Sequence, residues 1–80
     1  SRAVRAVSRA RWQMAEEDLR RAIIFVPDEQ TSYYNLGWLY QQTNRTDQAI
    51  LAYRRALELA PDFSPAHSQL DMLLATTNTD

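Results

Sequence analysis

His67 is the one histidine of this chain, and there is no cysteine. A metal ion needs convergent His, Cys or carboxylate ligands, and none stands at a suitable spacing from His67. Its expected role is that of a helix residue packed beside its neighbours. Glu16, Glu17 and Asp18 form a carboxylate run. Adjacent positions on a helix point in different directions, so these groups do not make an acid–base pair. Glu16 and Glu17 stand four residues before Arg20 and Arg21, which predicts a solvated, ion-paired face. There is no Gly-rich phosphate loop, nucleophile elbow or zinc signature. The residues therefore predict no enzyme, no metal and no cofactor. Arg2, Arg5 and Arg9 share one helical face. They could engage phosphate, an acidic partner or anionic lipid, but no aromatic residues interleave with them. A solvated face is the plainer reading, with anion binding as the alternative.

The elements that carry these residues are helices. The 80 residues suffice for one domain, and one Gly with three Pro argues against a β-rich fold. Ala, Leu, Gln, Arg and Glu favour helix. A core of this size is marginal, so each helix must find a partner. No window is apolar for the roughly 18 residues that a membrane span needs, and no secretory signal is visible. The absence of cysteine excludes a disulfide scaffold and fits a cytoplasmic or other intracellular protein. A net charge of −1 gives no expectation of nucleic-acid binding. All nine basic residues are Arg, for which coding-sequence composition is the blander cause and anion recognition the sharper one. The chain opens with Ser rather than Met, as a processed product or an excised fragment would.

Residues 1–26 contain no Gly, Pro or Asn. Trp12, Ala15, Leu19, Ala22, Ile23 and Val26 recur at helical spacing. Pro27 closes this segment, because the residue before a proline disfavours the α region. Asp28 is the expected cap of the next helix, which runs to about Thr43. Tyr33, Leu36, Gly37 and Tyr40 fall on one of its faces. Gly37 costs about 1 kcal/mol relative to Ala in a helix interior, and its expected use is close approach of a neighbouring helix. Thr43 to Asp47 is a polar break in which Asn44 can take the left-handed position. Thr46 is the expected cap of a further helix ending at Ala60 before Pro61, with Ala49, Tyr53, Ala56 and Leu57 on its packing face. Ser64-Pro65 starts a last helix with Ala66, Leu70, Leu73 and Leu74 on its apolar side. The closing residues 77–80 read as a polar tail.

The spacing Tyr33-x2-Leu36-Gly37-x2-Tyr40, Ala49-x3-Tyr53-x2-Ala56, Pro61 resembles the tetratricopeptide repeat. Tyr33 stands in place of its Trp and Tyr53 in place of its Phe. The resemblance implies an all-α fold of antiparallel helical hairpins, an α-solenoid fragment, with residues 30–63 as one complete repeat and 64–76 as a capping helix. Pro27 and Pro61 are 34 residues apart. At that offset Ala15 pairs with Ala49, Leu19 with Tyr53 and Ala22 with Ala56. Residues 1–27 thus read either as an incomplete preceding repeat or as one helix about 37 Å long. The latter would invite pairing or swapping with a second copy.

The resemblance further implies a non-enzymatic interaction module, a scaffold or adaptor. Stacked hairpins of this kind expose a concave surface lined by the first helix of each repeat. In this chain that implies partner-binding roles for Thr31, Tyr34, Asn35, Trp38, Gln41 and Gln42. Amides can bond a peptide backbone in both directions, and aromatic side chains supply apolar area. For Trp38 the competing expectation is simple packing against a neighbouring helix. Some members of the family grip C-terminal carboxylates with a Lys/Arg/Asn clamp. Asn35 matches one clamp position, but Pro65 and Gln69 stand where Lys and Arg would be. The expected partner is a protein or peptide, with homodimerisation as the second possibility.

Overall fold

A computed structural model describes the backbone of residues 2–77 and the side chains of residues 9–76. It is all-α. The helices run in chain order as α1 (Arg2–Phe25), α2 (Gln30–Gln42), α3 (Thr46–Leu59) and α4 (Ser64–Thr77). Each packs chiefly on its sequence neighbours, α1 on α2, α2 on α3 and α3 on α4. This is the helical-hairpin architecture that the sequence predicts. The side chains of Arg2 and Arg5 lie outside the described residues.

The α2–α3 turn shows why the chain bends there. Asn44 adopts φ 63°. Around it the Arg45 N–H donates to the Tyr40 carbonyl at 2.8 Å and the Asn44 N–H to that of Gln41 at 3.3 Å. This paired closure satisfies carbonyls that a helix end leaves open. Thr43 adds its hydroxyl, donating to the Leu39 carbonyl at 3.0 Å. Arg9-Ala10-Arg11 has no residue suited to the left-handed conformation, and α1 continues through it without a break.

Two of the expected caps are displaced. Pro27 and Asp28 form the turn after α1, so Asp28 is consumed by the turn and Glu29 takes the N-cap of α2, with no side-chain bond. Likewise Thr46 is already helical, and Arg45 occupies the N-cap of α3. Val26 also departs from its expected stripe and is 52 % exposed. It follows the last helical residue, so the period of α1 no longer aims it at α2.

The core is the α2–α3 interface, extended by α4. Leu36, Leu39 and Tyr40 of α2 meet Ala49, Ala52, Tyr53 and Ala56 of α3, and α4 adds Ala66, Leu70 and Leu73. Alanines on α3 let the helices approach, and the bulk is concentrated in Tyr53, which is fully buried. Gly37 makes room for it. A methyl group at Gly37 would lie 2.7–3.0 Å from the Tyr53 ring, closer than van der Waals contact allows. The Tyr53 hydroxyl donates to Gln41 Oε1 at 2.9 Å, so the ring's polar end is satisfied. Burial, and then the neighbouring Tyr34, push this hydroxyl's pKa up to about 12.

α1 docks through Trp12, Ala15, Leu19 and Ile23, which are partly buried against this core. A polar clamp fixes its position. Arg45 at the α2–α3 turn donates to Glu16 Oε1 at 2.6 Å, and Arg20 lies 2.7 Å from Glu16 Oε2. Arg20 also donates to the Tyr40 hydroxyl at 3.1 Å. The Arg45 guanidinium stacks 4.7 Å from the centre of the Tyr40 ring. Glu16 is therefore not on a solvated face. It ties α1 to a turn 29 residues away. Arg21 pairs with Asp18 at 3.5 Å rather than with Glu17.

The hydrogen bond from Arg45 holds the Glu16 carboxyl below its ordinary range, against the opposing effect of burial and with help from both arginine charges. A carboxylate whose folded pKa is depressed adds stability that is present above its unfolded value, 4.5 here, and is lost as pH falls below it. Replacing Glu16 with Gln should cost about 1–2 kcal/mol near neutrality. It should also flatten the decline in stability below pH 4.5. Denaturant unfolding followed by circular dichroism across that range checks both. An unchanged acid limb would show that the clamp carries no linkage.

Candidate functional site

On α2, Thr31, Asn35, Trp38 and Gln42 are spaced so that they share one edge of the helix, and all four are exposed. Trp38 is 44 % exposed, a large value for an indole next to a core. It meets Trp12 of α1 with ring centres 5.8 Å apart and planes tilted by 53°, within the range of favourable aromatic pairs. Between the two helices lies a groove of about 430 Å³. Ala15, Leu19 and Leu39 line it with the two indoles, and Asn35 and Asp18 bring polar groups to it. A mostly apolar concavity with a few placed polar groups is the ordinary form of a ligand site.

The remaining expected residues of α2 face elsewhere. Tyr34 packs edge-on against Phe63 at 5.6 Å and tilted against Tyr53 at 5.7 Å. Gln41 accepts the Tyr53 hydroxyl bond described above. Both are half-buried, and their helical phase turns them toward α3 and the start of α4. The set that the sequence groups together is thus split. Asn35 and Trp38 line the groove, Thr31 and Gln42 continue its edge, and Tyr34 and Gln41 support the hairpin.

Sequence reasoning did not place Trp12, Ala15, Leu19 or Asp18 at such a site. The first three stood only in a packing stripe and Asp18 in a carboxylate run. One signal was available, the spacing of Trp12, Ala15 and Leu19 on one face of α1. It says that they face a neighbour but not that the neighbour leaves a gap beside them.

Other candidates take simpler places. His67 Nε2 lies 2.7 Å from the Pro61 carbonyl, a contact that closes the start of α4 onto the end of α3. Among the described residues no group of His, Cys, Asp and Glu side chains could hold a metal ion, and no helix is long and apolar enough to cross a membrane. Arg9 is exposed. A second apolar concavity of about 250 Å³ lies between α2 and α3, among Tyr33, Leu36, Tyr40, Leu51 and Arg55. There the Arg55 guanidinium sits 5.7 Å from the Tyr33 ring centre.

Compared with known protein families, residues 31–63 match the tetratricopeptide repeat. No curated protein matches the chain.

Proposed function

The chain carries a tetratricopeptide repeat, and from that premise we propose that it is a scaffold or adaptor module that holds a peptide or a helix of another protein in the groove between α1 and α2. Repeats of this family generally mediate protein–protein interactions and are generally non-catalytic. The observation that carries the reading is Trp38. It is half open to solvent at the wall of a groove whose floor is apolar and whose rim offers the Asn35 amide. Tryptophans in such settings are common binding hot spots. An amide beside them can both donate to and accept from a peptide backbone. Thr31 and Gln42 extend the same edge, while Tyr34 and Gln41 keep α2 in place.

The test uses peptides selected from a displayed random library on the unmodified domain. Trp38→Ala combined with Asn35→Ala should weaken their binding by about 30-fold or more, a loss of roughly 2 kcal/mol. The helical circular dichroism signal should be kept, because both residues are exposed. Retained binding would place the site elsewhere.

A second reading, self-association through α1, is favoured by the exposed apolar run Ile24, Phe25 and Val26 at its end. Light scattering decides it, since a strictly monomeric mass would sink the idea.

A further inference from the structure

The chemistry of the groove selects its occupant. Its floor and walls are apolar, from Ala15, Leu19 and Leu39 and from the indoles of Trp12 and Trp38. Among the described residues Asp18 is the one acidic side chain of the lining, and no arginine lines the groove. The charge of Asp18 is weakly answered within the chain. Its partner Arg21 lies 3.5 Å away, with both side chains largely in solvent. The other ion pairs among the described residues close to 2.6–2.7 Å. An apolar trough with a negative rim and two indoles therefore has no cation among its described lining residues.

We propose that this groove takes an arginine side chain, presented by a peptide of a partner protein and flanked by aliphatic residues. The inference rests on the reading of the groove as the binding site. Three features of guanidinium chemistry match it. The planar cation stacks on tryptophan faces, the best of the aromatic acceptors. Its fork of N–H donors bonds a carboxylate such as Asp18 in paired fashion. It is weakly hydrated for a cation, so it enters a half-apolar site at lower cost than an ammonium. The Asn35 carbonyl oxygen can accept a further N–H bond, and aliphatic neighbours on the ligand would cover Leu19 and Leu39. The same arrangement disfavours acidic ligands, because a carboxylate would meet Asp18 with no arginine among the described lining residues.

The experiment titrates the intrinsic tryptophan fluorescence with three capped peptides that differ at one position. Each carries a central residue between leucines, and that residue is arginine, its neutral isostere citrulline, or glutamate. The arginine peptide should bind about tenfold more tightly than the citrulline peptide, and the glutamate peptide should not bind. Asp18→Asn should remove the tenfold advantage, because losing the carboxylate weakens binding of the charged guanidinium far more than that of the neutral ureido group. Asp18 is exposed and its substitution leaves the core intact, so folding is expected to be kept and is checked by circular dichroism. Equal binding of the arginine and citrulline peptides would overturn the inference and leave the groove standing as a site. Failure of all three peptides to perturb Trp12 and Trp38 would overturn both readings. Light scattering on the same samples distinguishes the remaining source of arginine. If mass doubles without peptide and Arg9→Gln with Arg11→Gln abolishes the doubling, the occupant is a second copy and the partner-peptide proposal fails.

Discussion

Gly37→Ala should destabilise the fold by up to about 2 kcal/mol, although alanine is the better helix former. The expectation follows from geometry. The added methyl would stand 2.7 Å from the Tyr53 ring, and Tyr53 has no freedom to withdraw. Its ring is fully buried and its hydroxyl is held by Gln41. Overpacking of this kind typically costs 1–3 kcal/mol, against a helix-propensity gain of about 1 kcal/mol. Tyr53→Ala alone should cost about 3–5 kcal/mol, as loss of a large buried ring does. The decisive measurement is the combination. With the ring removed, Gly37→Ala should become neutral or stabilising by up to about 1 kcal/mol. A double-mutant cycle by denaturant unfolding reads the coupling directly. Tyr53→Leu replaces Tyr53→Ala if the latter does not fold. Additive effects would show that the two residues do not oppose each other, and the account of this helix pair would fail.

Leu39→Ala is expected to cost about 2–5 kcal/mol, and its consequence reaches the groove. Leu39 is 2 % exposed and forms part of the groove's lining, across from Trp12 and Leu19 of α1. Removing its branched end leaves a cavity beneath α1. The clamp from Glu16 to Arg45 keeps α1 nearby. The variant should therefore retain most of its helix while Trp12 and Trp38 lose their fixed packing. Near-ultraviolet circular dichroism should fall more than the far-ultraviolet signal. Leu51→Ala is the control, because Leu51 is 64 % exposed and its truncation should cost less than about 0.5 kcal/mol. If the two variants behaved alike, the burial ordering of the helix faces would be wrong.

Both predictions depend on features with different legibility in the sequence. The hairpin is local. Tyr33, Leu36, Gly37 and Tyr40 lie within two turns of one helix, and Ala49, Tyr53 and Ala56 within two turns of the next. Their period alone states which faces pack. Asn44 between them could be read as the turn because few residues other than glycine accept φ 63°. Even the role of Gly37 could be anticipated, since a helix interior tolerates glycine where a neighbour needs its space.

The groove was legible only in halves. The α2 half, Asn35 and Trp38, stood out from the spacing of polar and aromatic residues around the packing stripe. The α1 half did not, because Trp12 and Trp38 are 26 positions apart in the chain, and periodicity carries no information on which helices meet. Tyr34 and Gln41 illustrate the converse. Their residue types suit a binding surface, but their phase on α2 turns them to Tyr53 and Phe63.

By itself, then, the sequence determined that this protein is a set of amphipathic helices broken at Pro27, Asn44 and Pro61, because backbone preferences and side-chain period act within a few residues. The tertiary structure alone decided that Glu16 is a clamp and not a solvated charge. It alone set a half-exposed Trp38 facing Trp12 with Asp18 beside them. Those outcomes depend on how α1 crosses α2, and that angle is fixed by the summed packing of Trp12, Ala15, Leu19 and Ile23 against the hairpin, not by any one stretch of chain.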